Sequence, residues 1–250
     1  MVTYAFLLAG VIVLLGITSA VMAWGGVDAR SAPWWAIARA TGQLALVSIA
    51  LRGALTYPPL VAVALLVMFT AAVWTSSRRL RDLPGAALGV VTACGLAAAT
   101  TLTVAFALRM LEFDARYLIA LGGIVIGNTM TATTLSGRAF RRAAIAQRPE
   151  IEAWLSIGAT PSQSAADVGR GAAHDALVPV IDQTRTTGLV TLPGAFVGAL
   201  AGGASPVEAG QFQLVVLVTL IAAQSIAAVV LVRVLGLSST LPVSEAAGKM

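Results

Sequence analysis

The chain has 250 residues, of which 58% are hydrophobic and 11% are charged, and its mean hydropathy is +0.89. Soluble domains carry about 25% charged residues, so this composition excludes an ordinary soluble protein. Several apolar runs reach the roughly 20 residues that cross a bilayer core as a helix. They lack the alternation of barrel strands. We therefore predict an all-α polytopic membrane protein in contact with lipid, whose net charge of +5 reflects membrane topology and not nucleic-acid binding.

About seven transmembrane helices are predicted in chain order. The apolar runs cover approximately residues 4–24, 33–55, 58–75, 85–108, 117–135, 187–203 and 206–235. Only Thr56 and Tyr57 separate the second run from the third, which predicts a tight antiparallel hairpin. The sixth run is short and contains Pro193 and Gly194, which predicts a kinked or broken helix, because proline interrupts the helical hydrogen-bond ladder.

These runs divide the chain into four parts. Residues 1–135 hold predicted helices one to five, and residues 136–186 form a polar segment. Residues 187–235 hold helices six and seven, and residues 236–250 form a short polar tail.

The arginines predict the orientation of these helices. The loop 76–82 carries three arginines and the segment 136–186 carries six, whereas the other side of a seven-helix arrangement holds only Arg52, Arg109 and Arg116. Since basic residues concentrate on the cytosolic side, we predict an outside N-terminus and a cytosolic C-terminus. The segment 136–186 and the tail are then cytosolic.

Motifs for enzymatic chemistry are missing from the sequence. The single lysine, Lys249, is followed only by Met250, so the sequence holds no G-x-x-x-x-G-K-[ST] phosphate-binding loop. We expect no catalytic residue and no cofactor bound by this chain. If ATP drives the protein, ATP and Mg must bind a partner subunit. The single cysteine, Cys94, excludes an internal disulfide and a multi-cysteine metal site.

The stretch EIEAWLSIG (150–158) predicts a short cytosolic helix. Acids lie in its first turn, where the helix dipole favours them, and Gly158 suits its C-terminal cap. Thr160 and Pro161 fit the N-cap and first position of a following helix. The result is an elbow that presents Trp154, Leu155 and Ile157. The residues alone leave two interpretations open: a helix lying on the membrane surface, or one docked in a groove of a partner protein.

Five motifs carry a resemblance to a known family. They are RATGQL (39–44), GNTMTA (127–132), LSIGATPSQSA (155–165), LVPVIDQTRTTGLVTLPG (177–194) and GGASPVEAGQFQ (202–213). In this order they resemble the permease family of FetB-type bacterial metal-export ABC transporters, to which plant aluminium-tolerance permeases belong. The resemblance runs from about residue 36 to residue 235. It implies a permease in the bacterial cytoplasmic (inner) membrane that exports a metal ion such as iron.

The elbow is also similar to the coupling loop of ABC permeases, in which such a helix sits in a cleft of the ATPase. The resemblance implies a homodimer of this permease with two ABC ATP-binding subunits. Two alternatives stay open: an ABC permease for an organic solute, and an ATP-independent carrier or scaffold. The residues that we assign to ATPase coupling are Glu152, Trp154, Leu155, Ile157 and Gly158.

Polar groups within membrane helices are costly and face a cavity or a neighbouring helix. Where the family often has Met-Met after Pro-Gly, this chain has Ala195 and Phe196, so two thioether ligands for a soft metal are absent at this position and the metal is unknown. We assign structural polar roles to Arg39, Gln43, Asp182 and Arg185. The candidates for the transport pathway are Asn128, Met130, Thr191, Pro193, Gly194 and Gln213.

Overall fold

The structure, a computed structural model, describes residues 2–28, 31–54 and 57–238. In these residues every extended regular element is an α-helix, and an isolated bridge pairs Thr187 with Thr191. The helices are α1 (Val2–Trp24), α2 (Ala32–Ala54), α3 (Pro58–Arg79), α4 (Ala86–Ala107), α5 (Ala115–Ala146), α6 (Arg148–Ser156), α7 (Pro161–Ser164), α8 (Ala166–Thr186), α9 (Gly194–Ala201) and α10 (Pro206–Gly236).

The all-α membrane class is confirmed. Within the described residues five helices, α1, α3, α4, α5 and α10, are long and apolar enough to cross a membrane. The second predicted span coincides with α2, which is not among the five and carries Arg39, Gln43 and Arg52 along its length. Thr56 of the predicted hairpin and the tail from residue 239 lie outside the described residues.

The chain divides into two compact units, Met1–Leu60 and Val61–Met250. In the first unit α1 and α2 contact each other, and the indole Nε1 of Trp34 donates a hydrogen bond of 2.8 Å to the Ser19 hydroxyl. The large apolar side chains of α1, among them Phe6 and Leu14, are exposed, as expected for residues that face lipid.

The second unit is a bundle in which α10 packs against α4, α5 and α8. Small residues allow this close approach. A Cβ placed on Gly89 of α4 would lie 2.9 Å from a methyl carbon of Leu231 on α10. Likewise, a Cβ placed on Gly137 of α5 would lie 2.5 Å from Leu80. A larger side chain at either position would require the contacting leucine side chain to shift.

The predicted polar segment 136–186 is mostly helical and belongs to the bundle. The preceding helix α5 continues to Ala146, and α8 runs antiparallel to α10. A Cβ on Gly236 would lie 3.8 Å from that of Ala165, and one on Gly169 would lie 3.8 Å from Val232. The apolar stripe of α8 recurs every fourth residue and is buried, which explains why a helix with so many charges packs. It consists of Val168, Ala172, Ala176 and Val180.

The structure differs from the predicted sixth span. Residues 187–193 lie outside any helix, and α9 contains only 8 residues, or roughly 12 Å of helix, too short to cross a bilayer. Gly188 adopts φ +90°, a conformation unfavourable for other residues, and Pro193 caps the helix that begins at Gly194. The predicted interruption at Pro193 and Gly194 is confirmed. The non-helical part covers residues 187–193, which is more than the apolar composition suggests.

A cluster of buried hydroxyl groups joins α3 to α5. The Ser76 hydroxyl lies 2.9 Å from that of Thr133 and 3.2 Å from that of Thr134. Both threonine hydroxyls also donate to backbone carbonyls of their own helix, at 2.9 and 2.8 Å. The sulfur of Cys94 on α4 lies 3.9 Å from the Thr133 hydroxyl. These polar side chains therefore contact one another between helices and do not face lipid.

Candidate functional site

The elbow consists of α6, the turn 157–160 and α7. Its local geometry follows the predicted capping signals. Gly158 adopts φ +92°, and its N–H donates to the Leu155 carbonyl at 3.1 Å. At the start of α7 the Thr160 hydroxyl accepts from the Gln163 N–H at 3.3 Å, and the Gln163 side chain accepts from the Thr160 N–H at 2.9 Å. This reciprocal capping box fixes the angle between the two helices.

One side of α6 is anchored in the bundle. Ile151 is only 2% exposed and belongs to the same core cluster as Ala144 of α5 and Val168 of α8. The sequence prediction did not identify Ile151 as an anchor. Its spacing of four from Leu155 indicates a shared face of the helix, but it does not show where along that face the bundle ends.

Three further apolar side chains near the C-terminal end of α6 are exposed. Trp154 is 48% exposed, Leu155 is 37% exposed and Ile157 is 75% exposed. Trp154 and Leu155 in the last turn of α6, together with Ile157 just after it, form a patch that a partner molecule or a membrane is expected to cover. We call these three residues the elbow patch.

The charges around the elbow patch are mixed. The Arg148 guanidinium Nε lies 2.7 Å from a carboxylate oxygen of Glu152, four residues later, and Glu150 is exposed in the first turn. Behind the elbow, Arg141 of α5 lies 3.7 Å from Asp82 in the loop between α3 and α4. The polar side of α6 therefore contains two acids and one arginine, all exposed.

Among the candidates for the transport pathway, Asn128 is held by an inter-helix contact. Its Nδ2 donates to the Ile124 carbonyl at 2.8 Å, and its Oδ1 lies 3.4 Å from Gln224 Nε2 of α10. Met130, two residues further along α5 and on a different face of the helix, is half-buried. Gln213 of α10 is buried, and its carbonyl oxygen has no hydrogen-bond partner.

The remaining candidates lie on separate elements. Thr191, Pro193 and Gly194 occupy the segment between α8 and α9, where Thr191 and Gly194 are exposed and Pro193 is half-buried. The structure thus brings Asn128 together with Gln224 but does not gather the six predicted pathway residues into one cluster.

The four predicted structural polar residues divide into two pairs. Asp182 and Arg185 form an ion pair on α8, with 3.5 Å between Oδ1 and Nη1. Arg39 and Gln43 lie four residues apart on α2, and both are exposed. In the described part of the chain no three or more His, Cys, Asp or Glu side chains are grouped so that they could hold a metal ion.

Comparison with known proteins identifies relatives over most of the chain. Residues 5–238 match the family model described as uncharacterised protein family UPF0014. The UPF0014 membrane protein STAR2 of Oryza sativa subsp. japonica is 37% identical over 199 residues, which cover 78% of this chain and 69% of that protein. The probable iron export permease protein FetB of Escherichia coli is 30% identical over 198 residues, covering 78% and 76%.

A further plant relative agrees with these matches. The protein ALUMINUM SENSITIVE 3 of Arabidopsis thaliana is 34% identical over 168 residues, which cover 66% of this chain and 61% of that protein. No solved structure matches this chain. The resemblance to permeases of the FetB type is therefore confirmed at the level of the family.

Because Ile151 is buried and Ile157 is largely exposed, the same substitution is expected to lower stability far more at Ile151 than at Ile157. Ile151→Asp places an unpaired charge in the core and is expected to cost about 4 kcal/mol or more of stability. Ile157→Asp changes a largely exposed side chain and is expected to stay within about 0.5 kcal/mol of the wild type. Thermal unfolding of both variants in detergent measures the difference. Equal melting temperatures would contradict the anchoring of α6 through Ile151.

Proposed function

The chain belongs to the UPF0014 family, and we propose on that basis that it is the membrane permease subunit of an ABC transporter. It would export a metal ion such as iron across the bacterial cytoplasmic membrane, using ATP hydrolysed by a separate subunit. The observation that carries this proposal is the elbow patch: exposed apolar side chains on a rigidly capped turn, fixed to the bundle through Ile151.

The charges of α6 favour a protein partner over a lipid surface. Helices that lie on membranes are rich in Lys and Arg on their polar side, which attracts anionic lipid. The polar side of α6 instead carries Glu150 and Glu152, and its arginine, Arg148, already pairs with Glu152. An apolar patch with an acidic border fits a groove in a protein. A cleft in an ATP-binding subunit is the partner that the family resemblance implies.

The arginines support a cytosolic position for the elbow. Arg78 and Arg79 end α3, Arg142 lies in the last turns of α5, and Arg233 lies in the last turn of α10. These helix ends lie at the elbow end of the bundle, since Leu80 packs against Gly137 and Gly236 against Ala165. Basic residues concentrate on the cytosolic side. The C-terminus is then cytosolic, and the elbow can meet an ATPase. The outside N-terminus stays a prediction, because it requires that α1 and α2 both cross the membrane.

Because the elbow packs against the bundle, its movement can be transmitted to the membrane helices. Because α6 contacts α5 and Ile151 is part of the bundle core, a displacement of α6 is expected to move α5. We propose that ATP binding and hydrolysis in two partner subunits move two elbows, one from each copy of this permease, and switch the dimer between inward- and outward-facing states. Catalysis would lie wholly in the partner subunits.

The pathway assignment centres on Asn128. An amide oxygen is a ligand that suits hard cations, and Asn128 offers one close to the middle of α5. In the first turn of α9, Ala195 and Phe196 supply no thioether, so this part of the chain favours cations that do not need soft ligands. We retain Met130, Thr191, Pro193, Gly194 and Gln213 as pathway candidates.

Leu155 is the residue with which to test docking. Leu155→Asp should weaken association with the ATP-binding subunit about 30-fold or more, because a charge replaces an apolar contact at the centre of the interface. Leu155→Met keeps the apolar character and serves as the matched control. Co-purification of the two subunits from the same membranes measures the effect. If Leu155→Asp assembles as well as Leu155→Met, the elbow patch is not the docking surface.

Asn128 and Gln224 together test the pathway. Asn128→Leu removes the amide oxygen and the contact between helices, whereas Gln224→Leu removes the contact alone. If Asn128 lines the pathway, ATP-driven metal transport in membrane vesicles should fall much further in Asn128→Leu than in Gln224→Leu, with both complexes intact. Equal transport in the two variants would remove Asn128 from the pathway.

A further inference from the structure

Helix α8 presents two contrasting faces along its length. The buried face carries no charge and packs against α5 and α10. The opposite face is exposed and carries a charged or ionisable side chain on almost every turn. These residues are Asp167, Arg170, His174, Asp175, Asp182 and Arg185.

The contacts of α8 with α10 give the depth of these charges. Gly169 lies next to Val232, and the two helices run antiparallel. Asp182 is therefore about 20 Å further along, beside the middle of α10. Val180 belongs to the same core cluster as Val216 and Leu220, which agrees with that alignment.

The neighbouring part of α10 is the most apolar in the described chain. Residues 214–232 contain no charged side chain, and α10 has the highest hydropathy of the five candidate spans, 2.7. When these residues of α10 cross the hydrocarbon core, the face of α8 from Arg170 to Arg185 lies at the same depth.

Lipid cannot cover this face. Each charged side chain turned toward the centre of a bilayer disfavours insertion roughly 100-fold. Lysine and arginine can reach the interface with their long side chains, but the short side chain of Asp182 cannot. Its ion pair with Arg185 offsets part of the cost. Even so, the two side chains remain 60% and 75% exposed, so both still require water or further partners.

A dry contact with another protein surface is also disfavoured. His174 and Asp175 form a second pair, with 3.7 Å between Nδ1 and Oδ1, and Asp167 pairs with Arg170. Burying three such pairs costs more desolvation than their mutual attraction recovers, unless additional hydrogen bonds satisfy each group. Water satisfies all of them without such a matched surface.

We propose that the exposed face of α8 lines a water-filled crevice. The crevice begins at the elbow end, beside Asp167, and reaches the depth of Asp182 and Arg185 near the middle of α10. It gives a charged solute a hydrated route into the bundle from the elbow side. The inference goes beyond the proposed function, because it requires only that α10 crosses the membrane and does not depend on an ATPase partner.

Single cysteines can test whether this face meets water. Cys94 is the only cysteine, so Cys94→Ser provides a thiol-free background. In that background Val178→Cys and Ile181→Cys place a thiol on the exposed face of α8 without removing a charge. Val218→Cys places a matched control on the exposed apolar face of α10 close to the depth of Ile181, and Val229→Cys places a second control on that face nearer the elbow end. The probe is a membrane-impermeant quaternary-ammonium thiosulfonate, added to membranes with both faces accessible.

The thiols on α8 should react roughly 100-fold faster than those on α10, since the charged reagent is excluded from lipid. If Val178→Cys and Ile181→Cys react as slowly as Val218→Cys, the face is covered by lipid or protein and the crevice does not exist. Gly171→Cys, on the same exposed face and with open space around an added Cβ, replaces either variant that fails to accumulate in the membrane. The reaction needs neither ATP nor transport, so loss of the ABC assignment would leave its outcome unchanged.

Discussion

The antiparallel contact between α8 and α10 determines where the rest of the second unit can lie. It is made through small residues: Ala165 meets Gly236, and Gly169 meets Val232. Helix α8 also packs against α5, and the elbow connects these two helices. Helices α5 and α8 are therefore the two arms of a helical pair. Because both arms are packed over most of their length, the short helix between them is held at one end of the bundle with its apolar patch exposed.

Hydrocarbon cannot solvate polar groups, so polar side chains of membrane helices need other partners. Those of the second unit are arranged in two ways. Inside, polar side chains pair across helices, as Ser76 does with Thr133 and Asn128 does with Gln224, although the buried carbonyl oxygen of Gln213 has no hydrogen-bond partner. On α8 the charges instead point away from the bundle, where nothing in the second unit covers them. The first arrangement holds helices together, and the second indicates where the protein meets water. Membrane transport needs both.

The sequence predicted the features that depend on local signals. Apolar runs of sufficient length identified the five helices that are long and apolar enough to cross a membrane, because few alternatives satisfy a backbone in lipid. The turn at Gly158 and the capping of the next helix at Thr160 were predictable from the sequence, because each depends on residues within one turn of helix. Identification of the family came from motif resemblance, which composition and periodicity cannot replace.

What the sequence did not predict depends on tertiary contacts. The charges of α8 lower its average hydropathy and conceal the buried stripe that recurs every fourth residue, so the sequence does not predict that this part of the polar segment packs in the bundle. The run 187–203 is apolar throughout, but composition alone does not separate a spanning helix from a short helix after a turn. Ile151 and Leu155 lie four residues apart on the same face of α6. Only the position at which the bundle ends makes Ile151 buried and leaves Leu155 partly exposed.

Transport in inside-out membrane vesicles tests the proposed activity most directly. The vesicles would contain this permease together with its ATP-binding subunit, and the cargo would be iron supplied outside. We expect iron to accumulate inside the vesicles only when both subunits and hydrolysable ATP are present. Accumulation at the same rate without the ATP-binding subunit would contradict an ATP-driven permease and leave an ATP-independent carrier in its place.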